Sequence, residues 1–290
     1  MDLFLQYLAN GIVIGSSYVL VAVGLTLIFG ILGVVNFAHG EFYMLGGYIG
    51  VMAVTIWGMP LWTALPLVIA CAVVIGFLAE RLLHKALKDS DPTNSIIASF
   101  GLAVAIQNAM LLTMGPQAQM ISIDMSALTL SLGPVFVPGN RVLIPIVTLV
   151  LILGLYAVLH FTWTGRSLRA MAQHGTIARL CGVRVDRVAI VTFIAAAALA
   201  GVAGTLMSSV YSVHPMAGNM VVLKAFTVVI LGGMGNVGGA AAAGLILGIT
   251  ESLTAGYLAN GVRDIVGFVI VILVLLFLPN GLFGKAYERS

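Results

Sequence analysis

Three polar residues lie close together in an otherwise apolar stretch near the start of this 290-residue chain. Asn36, His39 and Glu41 stand near Gly33 and Gly40, with long aliphatic runs on either side. Ionisable side chains in a lipid setting are costly unless they face protein or water, and glycines weaken a helix. The pattern predicts either a discontinuous helix whose polar groups line a central pathway, or a connection at the membrane face. In the first case these side chains would offer hydrogen bonds to a polar solute.

A second interruption, Leu231–Gly239, contains five glycines in nine residues together with Asn236. No Lys-Ser or Lys-Thr pair follows it, so the run does not match a Walker-type phosphate loop. When the sequence is aligned with itself at an offset of 200 residues, Gly33 matches Gly233 and Asn36 matches Asn236. Paired interruptions in two halves of a chain are typical of transporter repeats. We therefore predict that Asn236 approaches the same pathway from a second, repeated half, with a chance match as the alternative.

A basic segment at about residues 163–188 contains five arginines and a single acid, Asp186. Apolar residues share a helical face in each half of the segment: Leu168, Met171 and Ala172, then Ile177 and Leu180. Gly182 has the position of a helix C-cap. The pattern predicts two short amphipathic helices, which either lie on anionic lipid or dock into a groove of a cytoplasmic partner.

The rest of the chain must supply the elements that position these groups. Hydrophobic residues make up 61% of it and charged residues 8%, whereas soluble domains carry about 25% charged residues. This composition excludes a soluble enzyme, a nucleic-acid-binding protein and a disordered chain, and the continuous apolar runs argue against a membrane β-barrel. We predict an all-α polytopic membrane protein in which residues 1–290 form a single transmembrane domain.

The apolar segments lie near residues 7–30, 31–57, 61–80, 96–114, 142–162, 189–211, 222–257 and 264–281. A helix over 222–257 would be about 54 Å long at 1.5 Å per residue, nearly twice the bilayer core. This segment is therefore predicted to fold back as two helices, which gives nine crossings. If it forms one span and a surface stretch, the count is eight and the C-terminus lies outside.

Basic loops set the predicted orientation, because short loops rich in Lys and Arg stay in the cytoplasm. Residues 81–91 and 163–188 are basic, whereas residues 115–140 contain no Lys or Arg. We expect the first two inside, the third outside and the N-terminus outside. With nine crossings the C-terminal tail, which carries Lys285 and Arg289, lies inside.

Few charges are present in the last third of the chain, so a pathway for strongly charged solutes is not expected. Lys224 begins an apolar segment and is expected to snorkel outward, while Arg263 and Asp264 are expected at the surface in a short connection. His39, Glu41 and Glu251 are too scattered for a metal site or a nucleophilic triad. We therefore predict no catalytic residue and no metal site, and a cargo that is net neutral with an apolar side chain.

The three interrupted segments together resemble the LivH-type inner-membrane permease subunits of branched-chain amino acid ABC importers. Asn36–Tyr48 resembles the early signature of that family, and Leu231–Ala240 resembles its late glycine-rich segment. Gly165–Ala170 followed by Ala178–Val183 resembles its cytoplasmic coupling region. The resemblance covers most of the chain in order, with one departure at His174-Gly175, where such loops more often carry Asn or an acid.

The resemblance implies a multi-pass inner-membrane subunit that is not itself an enzyme. It would pair with a second, LivM-like permease, with two cytoplasmic ATPase subunits and with a periplasmic substrate-binding protein, and no nucleic acid is expected. ATP and Mg²⁺ would be bound by the ATPase subunits, and no cofactor is expected in this chain. The coupling helix would lie at about Thr176–Gly182, and its predicted contact residues are Ile177, Ala178, Arg179, Leu180, Gly182 and Arg184.

Two alternative functions stay open at this point. Permeases for urea or short amides share much of the early motif, so residues 31–50 do not separate them from amino acid permeases. A passive channel with two half-helices is the rival from another class. It is disfavoured because the Asn-Pro-Ala pair of aquaporin-type channels is absent and a large basic loop has no obvious use in a simple pore.

Overall fold

The computed structural model describes residues 2–88, 90–122, 129–132, 135–258 and 260–284, and this part of the chain is almost entirely helical. The helices are α1 (Asp2–Leu32), α2 (His39–Val51), α3 (Leu61–Ala79), α4 (Pro92–Met114), α5 (Gly139–Phe161), α6 (Trp163–Gln173), α7 (Gly175–Leu180), α8 (Val185–Met207), α9 (Ala217–Gly232), α10 (Val237–Tyr257) and α11 (Arg263–Phe277). Two π-helical turns, Met52–Ile56 and Glu80–Lys85, extend α2 and α3. A small antiparallel hairpin of β1 (Leu130–Leu132) and β2 (Val135–Val137) lies between α4 and α5.

Six of these helices are long and apolar enough to cross a membrane: α1, α3 with its π turn, α4, α5, α8 and α10. The prediction of an all-α polytopic membrane protein is therefore confirmed. α2, α9 and α11 are shorter, with 13, 16 and 15 residues. The count of nine crossings stays a prediction, and the tail with Lys285 and Arg289 lies outside the described residues.

Two predicted spans have different boundaries in the structure. The segment 31–57 does not form one element, because α1 continues to Leu32 and α2 begins only at His39. The segment 222–257 does form two helices, as predicted, but α9 already begins at Ala217. The internal repeat that these segments suggested stays a prediction.

Helix α1 lies at the centre of the bundle and packs closely along α10. The two helices are antiparallel: Gly11 and Gly15 face Gly248 and Leu245, and further along Gly30 faces Gly235. A β-carbon on Gly15 would lie 2.9 Å from the α-carbon of Leu245, so the helix backbones touch. Small residues that allow such close approach are the usual basis of helix association in lipid.

The basic segment forms α6 and α7, in agreement with the prediction of two short helices. Helix α7 ends with a Schellman motif, in which Gly182 has φ of +84°. The backbone N–H groups of Gly182 and Val183 donate to the carbonyl groups of Arg179 and Ala178 at 3.1 and 3.0 Å. Gly182 therefore does what its sequence position predicted.

Helix α4 begins with a side-chain cap at Asp91, beyond the first basic loop. The backbone N–H of Thr93 donates to the Asp91 carboxylate at 2.8 Å. The hydrogen bonds from Thr93 hold the pKa of Asp91 below its ordinary value. This cap orients α4, which carries one of the site residues described below.

Candidate functional site

The chain turns back along α1 before α2 begins. Helix α1 ends at Leu32, and the next residue, Gly33, has φ of +68° and donates its N–H to the carbonyl oxygen of Phe29. The Nε2 atom of His39 then lies 2.9 Å from the carbonyl oxygen of Val21, eleven residues before the end of α1. At 1.5 Å per residue, the His39 ring therefore contacts α1 about 16 Å before the end of that helix. The polar cluster is thus part of a helix break that is packed inside the bundle, and the pathway that it was predicted to line stays a prediction.

Asn36 and His39 are completely buried at this break. The Oδ1 atom of Asn36 accepts from the backbone N–H of Ala38 at 3.0 Å, while its Nδ2 group and the Nδ1 atom of His39 have no partner among the described residues. The His39 ring fits because Gly24 faces it, and a β-carbon there would lie 3.0 Å from Cε1 of the ring. Buried polar atoms without a hydrogen-bond partner cost free energy, so this region is suited to a conformational rearrangement or to binding a polar solute.

Glu41, in the first turn of α2, connects to two amide side chains that the sequence reasoning missed. The Nε2 atom of Gln107 on α4 donates to Oε1 of Glu41 and to Oδ1 of Asn219 on α9, both at 2.7 Å. Glu41 is 1% exposed and its Oε2 atom has no partner among the described residues. We call Glu41, Gln107 and Asn219 the polar centre. Its signal in the sequence was the pair Gln107-Asn108, two adjacent amides within an apolar segment.

The starts of α2 and α9 meet at the polar centre. A β-carbon on Gly40 would lie 2.9 Å from the carbonyl carbon of Gly218, and a β-carbon on Gly218 would lie 2.6 Å from the carboxyl carbon of Glu41. Only glycine at both positions allows the two backbones and the carboxyl group to share this space. Two helix N-termini converge here, and the positive ends of their dipoles favour a negative charge.

The second break, between α9 and α10, has fewer residues between its helices than the first and contacts different parts of the chain. Gly233 has φ of +96°, and Asn236 caps α10 by accepting from the N–H of Gly239 at 3.0 Å. The Nδ2 group of Asn236 donates to the carbonyl oxygen of Phe283 at 2.8 Å. The structure thus brings Asn36, His39 and Glu41 together, whereas Asn236 lies beside the end of α1. The reason is that residues 33–38 run back along α1, while residues 233–236 turn directly into the next helix.

A partly buried group of charged residues joins α1, α9, α10 and α11, and it contradicts the expectation for Lys224. Lys224 does not snorkel outward: it forms ion pairs with Glu251 and with Asp264, the latter at 2.8 Å. Arg263 is paired with Glu251 at 2.9 Å and donates to the hydroxyl of Tyr18 at 3.0 Å. Lys224 and Glu251 are buried, whereas the side chains of Arg263 and Asp264 are 28% and 48% exposed. Arg263 and Asp264 therefore lie partly at the surface, as predicted, and also pair with the buried charges. We call these five residues the ion network.

The predicted coupling residues occupy two sides of the basic segment. Ile177 and Leu180 are 55% and 83% exposed, whereas Ala178 is buried. Arg179 and Arg184 line a cavity between this segment and the end of α3. Helix α6 faces the breaks, because a smaller cavity of about 110 Å³ is lined by Leu168 on α6 and by Gly30 and Gly235 at the junction of α1 and α10. The basic segment therefore contacts the region where both helix interruptions begin.

The potential metal-ligating side chains and the two cysteines are scattered in the described part of the chain. No group of three or more His, Cys, Asp or Glu side chains is placed there to hold a metal ion. Cys71 and Cys181 are free thiols.

These features define a polytopic helical membrane protein with an interrupted helix at a buried polar centre and two short helices on a basic loop. Helix interruptions of this kind are typical of transport proteins. The family described as the permease component of branched-chain amino acid transport systems matches residues 7–278. The chain belongs to this family.

Relatives match the chain over nearly its whole length. It is 36% identical to the high-affinity branched-chain amino acid transport system permease protein LivH of Escherichia coli K12, over 97% of this chain and 96% of that protein. It is 34% identical to the permease protein BraD of Pseudomonas aeruginosa, with the same coverage. A ribose import permease of Bacillus subtilis matches over 46% of this chain at 32% identity. No solved structure matches.

Proposed function

We propose that this chain is a translocating subunit of an ATP-driven importer of branched-chain amino acids in the inner membrane. The observation that carries the proposal is the polar centre, set where two helix starts meet, in a chain similar along its length to branched-chain amino acid permeases. The route across the membrane passes the polar centre. A second permease subunit, two ATPase subunits and a periplasmic binding protein complete the system.

The polar centre suits a zwitterion with an apolar side chain. The carboxylate of Glu41 and the carbonyl oxygen of Gln107 can accept from an ammonium group. The amide of Asn219 and the N-termini of α2 and α9 can donate to a carboxylate. The surrounding helices are aliphatic, so the side chain of leucine or valine needs no further polar partner. A solute with a strong net charge would lack a compensating ring of charges.

The route lies at the surface of this subunit, toward a second permease. Asn219 is exposed at the start of α9, and Gln107 is half-buried on α4, a helix with little burial in this chain alone. Amide groups facing lipid would be costly, so a partner or a water-filled path must cover them. We infer that Asn36 and His39 support the route from the buried side of this surface. We infer also that Asn236 lies at the cytoplasmic end of the same route.

Uptake measurements test the proposed substrate class. In a strain lacking its own systems, expression of this chain with its partner subunits should give saturable uptake of radiolabelled leucine, isoleucine and valine. Uptake of arginine or glutamate should be at background, because their side-chain charge would be unpaired in this route. Import of urea alone would select the urea or short-amide permease, and ATP-independent flux would indicate a channel.

Thiol labelling tests the position of the route. In a background with Cys71 and Cys181 replaced by serine, Asn219→Cys should react with a small charged thiol reagent, and faster in one nucleotide state of the complex than in another. The matched control is Val150→Cys on α5, which is also exposed in this chain but is surrounded by apolar residues. It should stay unreactive, because lipid excludes the reagent. Inertness of Asn219→Cys in every state would contradict a water-filled route at the polar centre.

A further inference from the structure

A cavity of about 540 Å³ opens behind α7, between the basic segment and the end of α3. Four cationic residues line it: Lys88 after the π turn of α3, Arg179 on α7, and Arg184 and Arg187 at the start of α8. The acid Asp186 also lines the cavity. Four cations against one carboxylate leave a strong positive field, which attracts an anion.

These cations are not neutralised within the described part of the chain. None of them has a carboxylate within 4 Å there, since the ion pairs found lie at Glu80–Arg81 and in the ion network. Like charges held around one cavity repel each other, so an anionic occupant would stabilise this arrangement.

The cavity lies where two candidate membrane spans end. The span that begins at Leu61 ends at Lys85, only three residues before Lys88, and the span of α8 begins at Val185. Val185 and Met171 add apolar walls to the cavity. In the predicted orientation, basic residues at this level would face the headgroups of the cytoplasmic leaflet.

The cavity is distinct from the apolar face that the proposed ATPase contact would use. Ile177 and Leu180 are three residues apart and lie on the exposed face of α7. Arg179 follows Ile177 by two residues, which is about 200° around a helix, and it lines the cavity. An ATPase subunit seated on Ile177 and Leu180 would therefore leave the cavity behind α7 available. Arg179 and Arg184, which the sequence predicted as ATPase contacts, are assigned to the cavity instead.

We infer that this cavity binds a phosphate-bearing anion, and that its occupant is the headgroup of an anionic phospholipid. Guanidinium groups hold phosphate oxygens by paired hydrogen bonds, and lysine adds a point charge. The volume suits a small organic group rather than inorganic phosphate alone. A bound headgroup would connect the end of α3 to α7 and α8, and so would hold the coupling helix in place against the membrane domain.

Native mass spectrometry of the full-length chain in detergent tests this inference without partner subunits or transport. The wild-type chain should retain one added phosphatidylglycerol and should not retain phosphatidylcholine. Lys88→Gln with Arg187→Gln should weaken phosphatidylglycerol binding by about tenfold or more, because two charge-assisted contacts are lost. The matched control, Lys85→Gln with Arg166→Gln, removes the same charge outside the cavity and should bind like the wild type.

Three results would overturn the inference. Equal phosphatidylglycerol binding by both double variants would place any lipid elsewhere. Binding of inorganic phosphate or ATP, with phosphatidylglycerol unable to compete, would replace the lipid by a soluble anion. The third result has two parts: the wild type binds no phosphatidylglycerol, and the Lys88→Gln, Arg187→Gln complex loses its ATPase subunits. Together these would assign the cavity to a protein contact. The Kd measured on the chain alone does not depend on the proposed substrate, so the two proposals fail separately.

Discussion

Replacing Lys224 with methionine should lower the free energy of unfolding by about 3–5 kcal/mol, which is the usual cost of breaking a buried ion pair from one side. Lys224 is paired with Glu251, which is completely buried, and with Asp264. Without the lysine, the network holds two carboxylates against one guanidinium group. The expected result is a large fall in folded protein, measured by fluorescence-detected gel filtration of membrane extracts and by the Tm in detergent.

The reason for this loss is tested by restoring neutrality. Lys224→Met combined with Asp264→Asn leaves the Glu251–Arg263 pair, so the double variant should be more stable than Lys224→Met alone. Lys224→Arg keeps the charge and should fold close to the wild type. A Lys224→Met protein with wild-type Tm would show that the ion network does not hold α9, α10 and α11 together.

The ion network also bears on the polar centre through α9. Asn219 and Lys224 lie five residues apart on this helix. The first accepts a hydrogen bond from Gln107 at the start of α9, and the second forms an ion pair with Glu251 in the middle of the helix. Loss of the Lys224–Glu251 ion pair should make the start of α9 more mobile, where the Glu41 carboxyl group packs against Gly218. The ion network is therefore a positioning group for the proposed route.

Replacing Ile177 with aspartate should abolish coupling of transport to ATP hydrolysis. Ile177 is 55% exposed on a helix of six residues, which suits an apolar contact with a partner. A charge in such a contact would be buried without a counter-ion and would cost several kcal/mol, that is, a factor of about 10² or more in affinity. The expected result is loss of the ATPase subunits on co-purification of the tagged permease.

The matched control for this change is Thr176→Asp. Thr176 is also exposed and lies in the same first turn of α7, but on a different side of the helix. An added carboxylate there is favourable to the helix N-terminus. Thr176→Asp should therefore retain the ATPase subunits, and Leu180→Asp should behave like Ile177→Asp. Wild-type coupled uptake by Ile177→Asp would contradict the docking face.

The sequence alone determined the class of protein and the positions of its interruptions. Long apolar runs have one stable solution in lipid, because every backbone group must be hydrogen-bonded within the segment. Gly33 with Asn36, and Gly233 with Asn236, marked both helix breaks, since a glycine with positive φ ends each first helix. Asn236 caps the next helix, whereas Asn36 bonds to Ala38 just before α2 begins. Gly182 marked the end of α7 for the same local reason.

Only the tertiary structure decided which polar groups meet. Glu41, Gln107 and Asn219 come from three helices that are far apart in the sequence, and no periodicity relates them. The ion network was misread because a lone Lys224 looks free to snorkel until Glu251 is seen beside it. Local spacing determines helices and caps, whereas a buried charge is explained by its partners, and those are set by how the helices pack.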